Sequence, residues 1–269
     1  MQSLEPALHK KYKRLQKILE GLGSVVVAFS GGVDSTLVLK VAVDTLGPLA
    51  KAVIAASPTL PASEFEDAHL LCESLGVDLQ VVETDQLKIA DFVKNDAARC
   101  FHCKTDLYQL LARIQEIVGF QAIVDGTNVD DMGEDRPGIQ AGRQLGVRSP
   151  LLEAECDKAD IRQLAHALGL ANWNKPAAAC LSSRISRGIP ITQMVLSRVE
   201  QAEAFLLAEG LTQVRVRLHG AMARIEVGLS EIEMLTKEPR RSRLVATLKD
   251  LGFQTVTIDL EGYRPGGAN

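Results

Sequence analysis

The sequence predicts an α/β protein, in which a parallel sheet carries helices on both faces, followed by a smaller C-terminal α+β domain. Short apolar runs of strand length alternate with segments of helical periodicity, and a glycine-rich turn directly follows the first apolar run. Because a parallel crossover needs a helix between its two strands, this alternation favours a parallel sheet. Two strands of alternating polarity around a turn near the C-terminus predict the second domain.

The predicted elements of the first domain follow one another at regular intervals. Leucines at helical spacing indicate a leading amphipathic helix over residues 4–22. The predicted strands are 24–29, 52–56, 79–83 and 122–125, and the helices between them are 35–45, 62–75 and 104–118. Ligands of such sheets bind at the carboxyl ends of the strands, so the residues that follow these strands are site candidates.

The rest of the chain is less regular. Residues 126–150 lose their periodicity and are rich in Gly, Asp and Arg, which predicts loops over a site. We predict a domain boundary near the end of the irregular stretch 171–190, which gives a first domain 1–188 and a second domain 189–269. Further predicted elements are the helices 157–168 and 192–208, the strands 213–218, 223–227 and 255–260, and a helix broken at Pro239.

Composition and charge restrict the class of protein. With 269 residues, 46% hydrophobic content and a net charge of −4, the chain can bury one sizeable core and a smaller second one. The slightly acidic balance argues against a general nucleic-acid-binding protein. No apolar run approaches the roughly 20 residues that span a bilayer. The charged N-terminus lacks the features of a secretory signal, so we expect a soluble, cytoplasmic protein that does not contact membranes.

The segment Ser30–Thr36, which reads Ser-Gly-Gly-Val-Asp-Ser-Thr, is the strongest functional signal. Gly31 and Gly32 can adopt backbone angles closed to other residues, so main-chain N–H groups can approach an anion closely. The helix that follows adds its unpaired N–H groups and the positive end of its dipole. The loop lacks the Lys of a Walker A motif and is not a G-x-G-x-x-G motif. It therefore predicts a phosphate site of another type.

Side chains of the same loop add further contacts for a phosphate. The hydroxyl donors are those of Ser30, Ser35 and Thr36. The negative charge of Asp34 repels a phosphate that carries no metal ion. Its predicted catalytic role is therefore to hold Mg²⁺ against the phosphate. The alternative is a turn in which Asp34 or Ser35 only caps a helix.

The loop sequence resembles the PP-loop of the N-type ATP pyrophosphatases, which include GMP synthetase, NAD synthetase, tRNA thiolases and asparagine synthetase. The resemblance implies the adenine nucleotide alpha hydrolase-like fold, with ATP cleaved between its α- and β-phosphates and AMP left on the substrate. It implies that Ser57, just after the second strand, receives the adenine, although a serine there is also an ordinary turn residue. Gly126 follows the fourth strand and could line the nucleotide for the same topological reason.

Further short sequence segments indicate which family of this superfamily the chain resembles. They lie at 99–104, 125–128, 136–138, 148–151, 176–184, 215–217 and 223–226. Together they are similar to the LarE family over nearly the whole chain. The resemblance implies an ATP-dependent sulfur transferase that converts the carboxylates of pyridinium-3,5-biscarboxylic acid mononucleotide to thiocarboxylates, as a precursor of the nickel-pincer nucleotide cofactor of lactate racemase. It also implies other nickel-pincer biosynthesis enzymes as partners and a homo-oligomer, a hexamer built from trimers.

Two alternatives to this function stay open. A PP-loop tRNA thiolase shares the loop, but the modest charge and the lack of an RNA-binding module argue against it. A non-catalytic module that senses adenine nucleotides is the alternative of a different class.

The number and spacing of the cysteines indicate where the transferred sulfur could come from. Five cysteines form an odd set in a chain without an export signal, so a structural disulfide framework is improbable. Cys100 and Cys103 form a C-x-x-C pair, and Cys180 lies far downstream. Three thiolates suit a 4Fe-4S cluster with one open iron, which could carry an extra sulfide, although zinc binding, redox activity or core filling are alternatives.

The LarE resemblance favours the cluster at these three cysteines and gives Cys180 a catalytic role. In that family some members have a single cysteine that surrenders its own sulfur, whereas others carry three cysteines that hold a cluster, and this sequence matches the second pattern. The position of the sacrificial cysteine is occupied by, or next to, Ala179. Cys72 and Cys156 are predicted to be structural bystanders.

Arginines are the remaining site candidates, because a guanidinium fork matches phosphate and carboxylate geometry. The candidate anion clamps are Arg136, Arg143, Arg184, Arg215 and Arg217. Arg143 is assigned to the nucleotide and Arg184 to the substrate. Arg215 and Arg217 alternate on one strand, so they share a face and could reach a mononucleotide phosphate together, with Arg215 also catalytic.

Two glutamates also resemble acidic residues of the family's second domain. These are Glu203 and Glu226, which could bind metal. The default interpretation of a helical glutamate such as Glu203 is a solvated surface residue.

Overall fold

The computed structural model describes residues 4–133, 137–176 and 179–264, which form two compact units. Within these limits the first unit comprises 4–57, 62–85 and 100–176, and the second comprises 58–61, 86–99 and 179–264. The units differ from the predicted domains, because two earlier segments of the chain join the second unit. The predicted boundary at 188/189 stays a prediction.

The first unit is built on a four-stranded parallel sheet. Its strands are β1 (Val25–Ala28), β2 (Ala50–Ala56), β3 (Leu79–Glu83) and β4 (Ala122–Val124), in the order β3-β2-β1-β4. The three valines of β1 are fully buried, as expected for an inner strand covered on both faces. The predicted parallel α/β fold is confirmed, and all four predicted strands are present.

Helices fill most of the remaining described residues. In chain order they are α1 (Pro6–Leu22), α2 (Val33–Leu46), α3 (Ala62–Ser74), α4 (Ala90–Val93), α5 (Arg99–Val118), α6 (Pro137–Gln144), α7 (Pro150–Glu153), α8 (Lys158–Ala167), α9 (Gln193–Ala208), α10 (Ile232–Thr236) and α11 (Arg240–Asp250). The core beside α5 is formed by Tyr108 and Leu111 against Val26, Val53 and Ile123 of the sheet. Each such apolar side chain contributes about 1.5–3 kcal/mol when buried.

The prediction that residues 126–150 are irregular is wrong. Residues 126–150 were expected to be loops, yet the described part contains α6 and the first residue of α7. The buried face of α6 is formed by Ala141 and Gly142, and Gly142 lies so close to Tyr108 that a Cβ would approach its ring to 3.2 Å. Because residues this small carry little hydrophobic signal, the helical periodicity was not apparent.

Helix α5 begins five residues before the predicted start at 104. The Asp96 side chain accepts a hydrogen bond from the Ala98 N–H at 2.8 Å, and this turn leads directly into the helix. The C-x-x-C pair therefore lies in the first turns of α5 and not in a preceding loop.

The second unit contains a three-stranded mixed sheet. Strands β5 (Val214–His219) and β6 (Met222–Val227) form an antiparallel hairpin, and β7 (Thr255–Ile258) pairs in parallel with β6. Helix α9 begins at the predicted N-cap Thr192, whose hydroxyl accepts from the Val195 N–H at 3.3 Å. The predicted small α+β arrangement is thus confirmed. In the parts of the chain that the structure describes, no helix is both long and apolar enough to cross a membrane.

Candidate active site

The Ser30–Thr36 loop joins the end of β1 to the start of α2 at the carboxyl edge of the sheet. Gly31 has a φ of +71°, which L side chains rarely adopt, and a Cβ there would lie 3.1 Å from the Cβ of Ala68. Gly32 is the N-cap of α2, so the first-turn N–H groups of the helix face the same point. The backbone forms the anion-binding arrangement that the sequence predicts.

The hydroxyl groups of the loop form most of their hydrogen bonds with other atoms of the loop. The Ser35 hydroxyl lies 3.0 Å from that of Ser30 and donates to the Gly32 carbonyl at 3.1 Å. The buried Thr36 hydroxyl donates to the same carbonyl at 2.9 Å. Ser30 is exposed, whereas Ser35 and Thr36 are buried. In this arrangement Ser35 and Thr36 hold the loop in shape, and their predicted contact with a phosphate stays a prediction.

Asn172 is a loop-supporting residue that the sequence analysis missed. Its buried amide donates to the Gly31 carbonyl at 3.0 Å and to the Thr36 hydroxyl at 2.9 Å. In a trans peptide the C=O and N–H groups point in opposite directions, so holding the Gly31 carbonyl turns the Gly32 N–H toward the Ser30 hydroxyl, 3.4 Å away. Asn172 therefore fixes the backbone of the phosphate loop at Gly31 and Gly32.

The predicted magnesium ligand, Asp34, lies in the first turn of α2. Both of its carboxylate oxygens contact the Lys158 ammonium, at 2.6 and 2.7 Å, and one accepts from the Asn128 amide at 3.3 Å. Lys158 and Asn128 were not among the sequence candidates. The partly exposed carboxylate is a hard oxygen donor, the type of ligand that Mg²⁺ takes once or twice together with phosphate oxygens. Asp34 therefore fits the predicted ion.

Ser57 and Gly126 follow β2 and β4, so they lie at the same edge of the sheet as the loop. Gly126 packs closely on the first turn of α2, where a Cβ would approach the Ser35 nitrogen to 2.8 Å. Beside it, the buried Asp125 carboxylate accepts from the hydroxyls of Tyr108 at 2.9 Å and Ser149 at 2.8 Å. Asp125 thereby holds the end of β4 to Tyr108 of α5, while Gly126 packs it against the first turn of α2, the helix that follows the phosphate loop. Nucleotide contacts of Ser57 and Gly126 stay predictions.

Two of the three predicted cluster ligands lie on α5. Cys100 is exposed and Cys103 is partly exposed, and their i, i+3 spacing puts them on one face of the helix. Cys180 is exposed in the second unit, with its sulfur 2.9 Å from the Ser182 hydroxyl. Among the described residues no group of three or more His, Cys, Asp or Glu side chains is arranged for a metal. The thiols are accessible, and cluster ligation by them stays a prediction.

The other two cysteines are buried, in agreement with the predicted bystander role. Burial raises the pKa of the Cys72 thiol and of the Cys156 thiol to about 11. Both thiols are therefore protonated at neutral pH and unreactive as nucleophiles.

The guanidinium groups of Arg184 and Arg217 are buried and paired with carboxylates. Arg184 donates to both oxygens of Glu203, at 3.0 and 3.1 Å, and Arg217 donates to Glu226 at 2.9–3.1 Å. The surface interpretation of Glu203 is wrong, because this side chain lies on the buried face of α9, where it also accepts from the Val216 N–H at 2.9 Å. These charges stabilise one another within the second unit.

Arg215 has different surroundings. Its guanidinium lies over the Tyr263 ring, 5.4 Å from the centroid, and donates to the Val214 carbonyl at 2.7 Å. Burial and the positive charges of Arg184 and Arg217 lower the pKa of Arg215 from its usual value. Catalysis and substrate binding by Arg215 stay predictions.

Arg143 and Arg136 are the remaining predicted arginines. Arg143 is exposed, with a guanidinium nitrogen 3.4 Å from the Met132 sulfur. Arg136 lies outside the described residues. Nucleotide binding by Arg143 stays a prediction.

A glycine-rich loop between an inner parallel strand and a helix, with an aspartate in the first helical turn, defines a PP-loop nucleotide-binding protein. The family model described as NAD synthase matches residues 7–121. The chain is 40% identical over 264 residues to pyridinium-3,5-bisthiocarboxylic acid mononucleotide synthase of Lactiplantibacillus plantarum, covering 97% of this chain and 95% of that protein. It is 41% identical over 262 residues to an uncharacterized protein of Synechocystis sp., covering 97% and 98%.

A more local similarity agrees with the family model. The chain is 42% identical over 69 residues to the NH(3)-dependent NAD(+) synthetase of Methanococcoides burtonii, covering 24% of this chain and 26% of that protein. With the full-length similarity above, the chain belongs to the LarE family, that of pyridinium-3,5-bisthiocarboxylic acid mononucleotide synthase. The predicted family is confirmed, and so is the prediction of an enzyme, an ATP-using sulfurtransferase.

Proposed function

We propose that the chain adenylates the carboxylates of pyridinium-3,5-biscarboxylic acid mononucleotide with ATP, releases pyrophosphate and transfers sulfur to give thiocarboxylates. The observation that carries the proposal is 40% identity over 97% of the chain to the synthase of the bisthiocarboxylic acid mononucleotide. The loop geometry supports the ATP-dependent step, because its N–H groups converge where a triphosphate binds in an anion site of this type. The nickel-pincer nucleotide pathway and its enzymes as partners follow from the same family membership.

The first chemical step activates a poor electrophile. A substrate carboxylate oxygen attacks the α-phosphorus of ATP, the bond to the β-phosphate oxygen breaks, and pyrophosphate leaves with that electron pair. The main-chain N–H groups after Gly31 and at the start of α2 stabilise the charge that develops on the leaving group. Asp34 would hold Mg²⁺, which would neutralise part of the same charge. The product of this step is an acyl-adenylate.

The second step replaces oxygen by sulfur. A sulfide nucleophile attacks the carbonyl carbon of the acyl-adenylate, and AMP leaves with the electron pair of the broken acyl–phosphate bond. A 4Fe-4S cluster held by Cys100, Cys103 and Cys180 would supply this sulfide at its open iron. Arg215 is a candidate to orient the anionic nucleotide substrate, since a guanidinium fork matches phosphate and carboxylate geometry.

Pyrophosphate release tests the adenylation step. Purified protein with ATP, Mg²⁺ and the biscarboxylate nucleotide should release pyrophosphate and form one acyl-adenylate for each pyrophosphate, and AMP should appear only as water or sulfide cleaves that intermediate. Asp34→Asn should lower the rate about 100-fold, since one charged contact to a metal-bound leaving group is lost. Asp44→Asn is the matched control, because Asp44 lies on the same helix and pairs with Lys40 at 2.6 Å. ADP as the nucleotide product would refute the proposal, and release that depends on tRNA would favour a thiolase.

Cluster-dependent sulfur transfer has a separate test. Anaerobically reconstituted protein should absorb at roughly 400 nm, as thiolate-ligated iron does, and should form the thiocarboxylates detected by mass spectrometry. In Cys180→Ala the absorption and the thiocarboxylates should be lost while pyrophosphate release continues. Cys72→Ala, at a buried thiol, should keep all three. A fully active Cys180→Ala protein would remove Cys180 from the ligand set.

A further inference from the structure

The segment that carries Cys180 is mostly irregular. This Cys180 loop, residues 179–191, precedes α9 and contains one short 3₁₀ turn at Leu181–Arg184. Ser182 and Ile185 of the loop are buried. Buried main-chain groups need hydrogen-bond partners, and an irregular segment cannot supply all of them as a helix or a sheet does. The conformation of the Cys180 loop therefore depends on partners outside the loop.

Asn95 supplies several of these partners. It is fully buried, and its φ of +55° lies in the left-handed region, which asparagine adopts more readily than most residues. Its amide nitrogen donates to the carbonyls of Ser186 and Ile189, both at 2.9 Å. Its main-chain carbonyl accepts from the Gly188 N–H at 3.1 Å. One residue thus holds the loop at three places.

Arg99, the first residue of α5, extends these contacts toward Cys180. Its Nη1 donates to the Asn95 side-chain oxygen at 2.6 Å and to the Ser182 carbonyl at 2.8 Å. The buried Ser182 hydroxyl lies 2.9 Å from the Cys180 sulfur. Hydrogen bonds from a charged donor are stronger than neutral ones, so Arg99 joins Asn95 firmly to the residue that contacts the thiol. All four residues belong to the second unit.

The position of the Cys180 sulfur is set by the main chain behind it. Cys180 itself is exposed, so packing of its own side chain does little to fix the sulfur. A misplacement of about 1 Å at a reacting group can cost about 100-fold in rate. The phosphate loop belongs to the first unit, whereas these contacts belong to the second. A fault in them should therefore affect the sulfur step and spare adenylation.

We propose that Asn95 and Arg99 are positioning residues for sulfur transfer, which hold the Cys180 loop so that the Cys180 sulfur keeps one position. This inference rests on the proposed function, in which Cys180 takes part in the sulfur step. Asn95 fixes the part of the loop that follows Cys180, and Arg99 fixes Ser182 beside the thiol. Both residues act through the main chain of the loop and through Ser182.

Single-turnover measurements on Arg99→Met test this role. With anaerobically reconstituted protein in excess over ATP and the biscarboxylate nucleotide, pyrophosphate and thiocarboxylate are measured separately. Thiocarboxylate formation should slow about 10- to 100-fold, as for a misplaced reacting group, while pyrophosphate is released at the wild-type rate. In the protein without ligands, hydrogen exchange over residues 181–189, followed by mass spectrometry, should become about tenfold faster, because a charged hydrogen bond to the loop is lost.

Three further variants make the result decisive. Arg162→Met is the matched control, because Arg162 also donates to an asparagine side-chain oxygen, that of Asn174 at 3.1 Å, but lies in the first unit. It should keep the wild-type rates of both steps and the wild-type exchange. Arg99→Lys keeps a charged donor and should form thiocarboxylate faster than Arg99→Met. Asn95→Asp keeps an acceptor for Arg99 but loses the donor to the loop carbonyls, so exchange over 181–189 should again become faster.

The outcomes separate this inference from the proposed function. Unchanged exchange or unchanged thiocarboxylate formation in Arg99→Met, or equal slowing of pyrophosphate and thiocarboxylate, would overturn the inference. Loss of thiocarboxylate in Cys180→Ala together with a fully active Arg99→Met protein would refute the role of Arg99 and leave the proposed function intact. Thiocarboxylate formation that survives Cys180→Ala but slows in Arg99→Met would refute the proposed role of Cys180 and support that of Arg99 in the sulfur step.

Discussion

Gly126→Ala should disturb the phosphate loop through close contact with it, although no residue of the loop itself is substituted. The added Cβ would lie 2.8 Å from the Ser35 nitrogen and 3.0 Å from the Asp34 Cβ. To reach an ordinary contact of about 3.4 Å, the first turn of α2 must move by about 0.6 Å, and main-chain atoms cannot rotate away as a side chain can. Overpacking of this kind costs about 1–3 kcal/mol. The φ of Gly126 is not in the left-handed region, so lack of space accounts for the effect.

Urea unfolding and the KM for ATP measure the two consequences. We expect the free energy of unfolding to fall by about 1–3 kcal/mol and the KM for ATP to rise, because the N–H groups of α2 move off their positions. Gly21→Ala is the matched control: Gly21 lies in α1 with no atom within 4 Å of its added Cβ. That substitution should stabilise the protein by about 0.5–1 kcal/mol. If both substitutions changed the free energy of unfolding and the KM for ATP equally, close contact of the new Cβ with α2 could not be the cause.

Three further predictions concern a loop-supporting amide, a buried ion pair and a buried thiol. Asn172→Ala should raise the KM for ATP about tenfold with little change in kcat; a fall in kcat alone would contradict its positioning role. Arg184→Met leaves Glu203 buried and unpaired, so the free energy of unfolding at pH 7 should fall by about 3–5 kcal/mol in urea, and adding Glu203→Gln should restore part of it. At pH 8, iodoacetamide should label the exposed Cys180 and spare Cys156, since burial raises the pKa of that thiol to about 11; equal labelling by mass spectrometry would disprove this.

Local patterns in the sequence were sufficient for the sheet and for the phosphate loop. The strand β1 is a continuous apolar run, because both of its faces are buried, and the Ser30–Thr36 string follows it without interruption. Every feature needed to recognise this site lies within a dozen residues. The small second sheet was equally visible, because β5 and β6 are adjacent in the sequence and alternate in polarity.

Contacts between distant parts of the chain could not be predicted in the same way. Lys158 is 124 residues from Asp34, and Asn172 is 141 residues from Gly31. On the sequence alone, Lys158 is an ordinary helix-start residue and Asn172 an ordinary turn residue. Neither residue type at its position carries a signal of the phosphate loop. The three-dimensional path of the chain, and not any local pattern, brings them to it.

The buried pair Arg184–Glu203 changes how the arginine at this position is understood. Besides Glu203, the Arg184 guanidinium donates to the main-chain carbonyls of Ala179 and Cys180, the latter at 2.9 Å. A buried ion pair is weak evidence for stability, because apolar residues of similar volume often serve as well. Its value here is that it holds the main chain on both sides of Cys180, a predicted cluster ligand. Displacement of Cys180 would therefore be enough to lower activity in an Arg184 variant, whether or not Arg184 contacts the substrate.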